Sequence, residues 1–189
     1  MWNRLVRVSA PIADALSLED ARSHLNLTGV ADHDGVLAGF IADAIATFEG
    51  PSGIGVCLIE QTWRLSLDRW PARIDVPLGP VSAVVDVTYL DPIGAEQPLD
   101  PDDYVFDLDR RPLRIWPAEG VSWPAHKVGP GAIKVTFKAG FGPAAADLPA
   151  DIVGALKVIV GQRFENRGSD ALPAAAEAVI ERYRRGRVG

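Results

Sequence analysis

Three histidines, His24, His33 and His126, are the first residues in this chain to weigh for acid–base or metal chemistry. None has partners at ligand spacing. Asp32-His33-Asp34 is the densest grouping, yet adjacent residues at a helix start rarely turn toward one ion, and helix capping accounts for both acids. Asp100-Pro101-Asp102-Asp103 and Asp107-Leu108-Asp109 gather carboxylates that could hold calcium or act as an acid–base pair; acids so placed ordinarily cap turns and solvate hairpin tips. Gly53-Ile54-Gly55 and Gly129-Pro130-Gly131 have the composition of phosphate loops. Neither lies between a strand and a following helix, where backbone amides would meet a phosphate, so both read as turns. No Ser/His/Asp or Cys/His set assembles. The expectation is a chain with no catalytic residues, no metal and no cofactor, and therefore not an enzyme.

Two other groups of side chains suit binding. Trp70, Trp116 and Trp123 each precede a proline near an expected strand end, where they pack under loops, form a subunit interface or stack on sugars. Trp63 alternates inward and reads as core. The last eight residues, Arg182-Tyr183-Arg184-Arg185-Gly186-Arg187-Val188-Gly189, hold four arginines and no acid. Such an end is either a solvated helix terminus, where cations are favoured, or a basic tail (182–189) that docks on an acidic partner through bidentate carboxylate contacts.

The formal charge is −6 in spite of that tail, so the rest of the chain is acidic. An acidic body is poorly suited to wrapping nucleic acid, whose affinity for proteins comes largely from Lys and Arg neutralising phosphates. The single cysteine, Cys57, has no partner in the chain and is expected to be buried and structural, in keeping with synthesis in a bacterial cytoplasm. The N-terminal residues lack the apolar core of a signal peptide and no apolar run has the length of a membrane span, so a soluble protein without a membrane partner is expected.

Apolar periodicity sets the elements that must carry these residues. Ser17-Leu18-Glu19-Asp20 reads as a capped helix start, and Val36, Leu37, Phe40, Ile41, Ala44, Ile45 and Phe48 recur at helical spacing up to Gly50-Pro51. From Cys57 the period becomes alternating through Ile59, Trp63, Leu65 and Leu67, with Gln61 the one polar misfit. Val81 to Leu90, Tyr104 to Leu108, Leu113 to Trp116 and Ile133 to Lys138 read as further strands between turns. Helical spacing returns after Leu148-Pro149 and again from about Pro173 to Arg185. The expected fold class is α+β. Residues 1–189 form a single domain in which a small helical bundle (14–52 and 147–189, two helices at each end) carries an inserted antiparallel β-sandwich or open barrel (57–140).

The order of these pieces resembles the head-tail connector (adaptor) proteins of tailed phages. The residues that carry the resemblance are the capped helix, the long helix ending at Gly50-Pro51, Gln61-Thr62-Trp63, Pro77-Leu78-Gly79-Pro80-Val81 and Asp103-Tyr104. They continue through Val135-Thr136-Phe137-Lys138-Ala139-Gly140-Phe141-Gly142, Leu148-Pro149 and Ile180-Glu181-Arg182-Tyr183-Arg184. The resemblance implies a structural, portal-binding protein of the virion, set at the head-tail interface of a phage, prophage or gene transfer agent particle. It implies an oligomeric ring, a dodecamer, that extends the DNA channel without binding DNA specifically and joins the portal protein to the next neck or tail protein, a stopper or tail terminator. Carried onto this chain, Arg182, Tyr183, Arg184, Arg185 and Arg187 become portal contacts; Trp70, Trp116 and Trp123 are candidates for the subunit interface, and the β insert becomes a peripheral or tail-facing module. An acidic channel wall would repel phosphate. The competing expectation is a β-sandwich binding module that recognises a glycan or host surface through its Trp-Pro edges.

Overall fold

The computed structural model describes residues 4–167 and 171–184. The fold is α+β, with four helices and two open antiparallel sheets rather than a closed barrel. The chain divides into two compact units: 1–10 with 60–140, which holds the sheets, and 11–59 with 141–189, which holds the helices.

The helical unit forms because each of its helices has one apolar stripe to bury. Helix α1 (Leu18–His24) starts where Ser17 Oγ accepts the Asp20 N–H at 3.0 Å. Helix α2 (Asp34–Phe48) buries Leu37, Ile41, Ala44 and Phe48 and leaves Val36 exposed on its other side. Neither Asp32 nor Asp34 caps it. His33 occupies the N-cap position without a side-chain bond, because Asp34 instead receives Arg22, whose Nε donates at 2.8 Å. Helix α3 (Ala150–Glu165) follows Pro149 and presents Ile152, Leu156, Ile159 and Val160 to the same core. Helix α4 (Ala174–Arg184) adds Ala176 and Ile180. Fully burying one such Leu, Ile or Phe side chain stabilises a fold by ~1.5–3 kcal/mol. The segment Ile54 to Ile59 is also buried in this unit, with Cys57 fully so.

That last finding corrects the first strand. Alternation begins at Cys57 in the sequence, but strand β2 spans Gln61–Leu67, because only from Gln61 onward does a neighbouring strand supply ladder partners, starting with Ala139. Gln61, polar at an inward position, is buried all the same. The five-stranded sheet runs β1 (Arg4–Ser9), β2, β8 (Ile133–Ala139), β4 (Val81–Leu90), β5 (Glu96–Pro98). The strand β1 is an addition that periodicity did not reveal; it pairs antiparallel with β2, Leu5 opposite Leu65 and Val6 opposite Arg64. The three-stranded sheet runs β3 (Ile74–Val76), β7 (Leu113–Pro117), β6 (Tyr104–Phe106), the last ending two residues short of the expected Leu108. Trp63, Leu65, Ile74, Val87, Ile115, Ile133, Val135 and Phe137 are among the buried apolar side chains of this unit. Among the described residues no helix is long and apolar enough to cross a membrane.

Candidate functional site

The basic C-terminal residues divide at Arg184. Arg185 and Arg187 lie outside the described residues. Arg182 and Tyr183, on the last turn of α4, are held by α3 within the helical unit. Arg182 Nη1 donates to Asp151 Oδ2 at 2.6 Å and the Tyr183 hydroxyl donates to Asp151 Oδ1 at 3.0 Å. The Tyr183 ring stands edge-on to Phe141, centroids 6.0 Å apart at 86°. Asp151 lies in the first turn of α3, where exposed amides favour a carboxylate, so it is well placed to collect both donors. Arg184 pairs with Glu181 one turn back at 2.7 Å. Two of the five candidate contacts, Arg182 and Tyr183, are thus already tied into the fold.

The tryptophans also separate. Trp70 and Trp123 lie in loops more than fifty residues apart in sequence, yet their rings stack 4.6 Å apart at 8°. Each donates its indole N–H to the loop carrying the other: Trp70 Nε1 to the Pro124 carbonyl at 3.1 Å, Trp123 Nε1 to the Pro71 carbonyl at 2.8 Å. Tyr89 and His126 flank Trp70 at 5.9 and 6.1 Å. This reciprocal clasp fastens the loop before β8 to the loop after β2. It is the packing reading realised for two of the three Trp-Pro pairs, each proline's own carbonyl accepting the indole N–H of the other loop. Trp116 is elsewhere, half-buried on β7 opposite Val105.

Beside the clasp lies a cleft of about 450 Å³ bordered by Asp68, Arg69, Trp70, Arg73 and Asp75. Two of its charges meet each other: Asp75 Oδ1 accepts from Arg73 Nε at 3.2 Å, and also from the buried Arg114 Nε at 3.0 Å.

The remaining sequence candidates have structural employment. His33 meets Phe164 edge-on at 5.4 Å, and Asp34 holds Arg22, so Asp32-His33-Asp34 does not converge. Among the described residues no three His, Cys, Asp or Glu side chains are grouped to hold a metal ion. Asp100 Oδ1 caps a short turn by accepting the Asp102 N–H at 3.0 Å, and Asp107 Oδ1 does the same for Asp109. Gly53 packs so closely on the end of α2 that an added Cβ would stand 2.6 Å from the Phe48 carbonyl carbon. Gly131 gives its N–H to Asp68 Oδ1 at 2.8 Å.

The hairpin tip between β4 and β5 is a stretch that sequence reasoning read only as a turn. Asp91 Oδ1 accepts the N–H groups of Ile93 and Ala95 at 3.0 and 2.9 Å, and Oδ2 accepts the Gln97 side-chain amide at 3.1 Å. Hydrogen bonding, the Ala95 N–H foremost, holds the Asp91 carboxyl below its usual range. Asp91-Pro92-Ile93-Gly94 announced a turn; nothing in it announced that Ile93 would stand 90% exposed. Glu96, next to it, is likewise held low by the Lys134 ammonium at 2.9 Å and the Thr88 hydroxyl. Burial, and secondarily the Asp86 charge, pushes Tyr104 up.

The acidic excess is unevenly distributed. Residues 11–59 carry seven acids and a single base, Arg22, whereas the β unit carries twelve acids and eleven bases.

No protein-family model matches the chain, and no curated protein matches it significantly. Solved structures do. The chain is 30% identical to a protein in the neck of an empty gene transfer agent particle reconstructed with sixfold symmetry, with a TM-score of 0.77 over 96% of this chain and 95% of that one. It is 30% identical, TM-score 0.77, to one in the neck of the native particle reconstructed with twelvefold symmetry, over 96% and 94% of the two chains. A protein from the virion of a native gene transfer agent particle is 32% identical, TM-score 0.77, over 95% and 94%.

Proposed function

We propose that this chain, which belongs to the family of these phage-like neck proteins, is a non-enzymatic head-tail connector (adaptor). In this reading it forms a ring, a dodecamer, beneath the portal of a phage-like particle. The ring continues the DNA channel and hands it to the next neck or tail protein, a stopper or tail terminator. The observation that carries the reading is the end-to-end match, both units included, to proteins of particle necks reconstructed with sixfold and twelvefold symmetry. A match confined to one unit would have left the other free for an unrelated task.

The division of labour follows from the two units. The helical unit supplies ring mass, and its acidic stretch 11–59 suits a surface past which DNA must slide without sticking, since carboxylates repel phosphate. The arginine-rich end reaches the portal. With Arg182 and Tyr183 tied to Asp151, the contact falls on Arg184 and on Arg185 and Arg187 beyond it. The β unit faces outward or tailward.

The glycan-binding alternative draws on the cleft beside Trp70. It is weakened because Trp70 and Trp123 stack on each other and spend both indole N–H groups on loop carbonyls, leaving less aromatic surface for a sugar. Immunogold labelling of purified particles tests the choice: label at the collar between capsid and tail supports the connector, and label confined to fibre tips overturns it.

A further inference from the structure

The β unit has four sheet edges, and they are not equally protected. Isolated strands with free N–H and C=O groups invite pairing with another chain, and proteins blunt such edges with brevity, proline or cover. Edge strand β5 is three residues long and ends on Pro98; edge strand β3 is three residues long and runs into Pro77. Edge strand β1 is six residues long and contains no proline, and its one irregularity, between Arg7 and Ser9, leaves the register of Arg4 to Arg7 regular. Its Val6 and Val8 are 47% and 53% exposed, and Arg4 and Arg7 are its only charges. Among the described residues Arg4 pairs only with the exposed Asp68, at 3.5 Å.

Edge strand β6 and the loop after it offer the opposite chemistry. Val105, Phe106 and Leu108 are 51%, 39% and 42% exposed. Around them stand Asp102, Asp103, Asp107 and Asp109, four acids in eight residues, before Arg110 and Arg111 close the loop. None of these four carboxylates makes an ion pair with a described residue. Val105 shares its face with Trp116, its register partner on β7. One chain therefore carries an apolar, basic strand edge and, on a different sheet, an apolar, acidic one.

We infer that β1 of one copy docks along β6 and the following loop of the next copy, Val6 meeting Val105 on one face and Leu5 meeting Phe106 on the other, with Arg4 and Arg7, one on each face, near the aspartates that flank β6. The partner is a second copy of this chain because both complementary surfaces are on the same chain. Two different patches that match each other make a head-to-tail contact, the kind that repeats around a ring. Strand addition supplies main-chain hydrogen bonds, and the opposite charges set partner and direction. Trp116 then lies beside the contact, while Trp70 and Trp123 serve their own unit. This inference rests on the ring proposed above.

The test uses full-length chains supplied to particles that lack the native copy, with incorporation into the neck measured by quantitative mass spectrometry and by image reconstruction. Arg4→Glu with Arg7→Glu, and separately Asp107→Arg with Asp109→Arg, should each lower incorporation at least tenfold, as like charges now meet across the contact. Combining all four changes should restore it to within about threefold of the native level. Thermal melting of each purified variant checks folding. Should a reversal melt early, Arg4→Ala with Arg7→Ala and Asp107→Asn with Asp109→Asn replace it, with a drop of about threefold expected. Incorporation of either reversal at the native level, or a combined variant no better than its parents, overturns the inference while leaving the ring intact. Absence of the native chain from the neck overturns both.

Discussion

Two truncations that differ by three residues should behave very differently. Removing residues 185–189 leaves every contact among the described residues in place, whereas removing residues 182–189 also deletes the Arg182 and Tyr183 contacts to Asp151 and the Tyr183–Phe141 ring pair. The ring pair is worth ~0.5–1.5 kcal/mol. A hydroxyl bonded to a partly buried carboxylate contributes ~1–2 kcal/mol. Arg182, mostly exposed, adds ~0–1 kcal/mol. Together they come to about 3 kcal/mol, or ~6–12 °C in melting temperature for a chain of this size. Thermal denaturation followed by far-ultraviolet circular dichroism should therefore place the longer truncation that far below the native chain and the shorter one within ~2 °C of it. Tyr183→Phe, which keeps the ring and removes only the hydroxyl, should lie between them. Equal melting of the two truncations would refute the docking of α4 on Asp151. The shorter truncation, still folded, should give heads that fail to join tails; normal joining would remove the arginine end from the portal contact.

Other outcomes follow from single features. Trp123→Ala removes one face of the clasp and its bond to the Pro71 carbonyl, and should destabilise the β unit by ~3–5 kcal/mol in denaturant titration; Trp123→Phe should recover part of that. Asp91→Ala should destabilise the β4–β5 hairpin at neutral pH. Because the folded carboxyl is held below 3.8, its contribution is present above that pH and fades as the pH falls through the lower folded value. The gap between native and variant stabilities should narrow in acid, which urea titrations at two pH values would read. Gly53→Ala should cost ~1–3 kcal/mol, since its Cβ would collide with backbone at the end of α2 rather than with a movable side chain.

Much of the fold was legible because helices and strands write their burial into spacing. Ser17 capped where its hydroxyl and the acids after it indicated, and Leu37, Ile41, Ala44 and Phe48 turned inward as their spacing required. The errors share one cause, which is that alternation records burial and not pairing. Cys57 and Ile59 alternate in phase with β2 yet are buried in the helical unit, ahead of Gln61, where the ladder begins. Strand β1 escaped notice for the converse reason: Arg4 to Ser9 is exposed on most sides, and its partner is some sixty residues away. The candidate site was legible as residue types but not as geometry. Trp-Pro repeated three times said that aromatic surface would sit at loop junctions, while which two would meet depended on a fold that brings residues 70 and 123 together. The arginine run hid the same ambiguity. Tyr183 falls both in the helix expected up to Arg185 and in the tail expected from residue 182, and Asp151, the residue that decides between the two, lies at the start of a different helix.

The central claim is that this chain forms the ring joining portal to tail. Single-particle reconstruction of native particles at the neck, without imposed symmetry in the final stage, tests it most directly. The account predicts density for twelve copies of this fold directly beneath the portal, with the C-terminal arginines against the portal and an open central channel. A neck in which that position is filled by another protein, or in which this chain is absent or lies only at the distal tail, would contradict it.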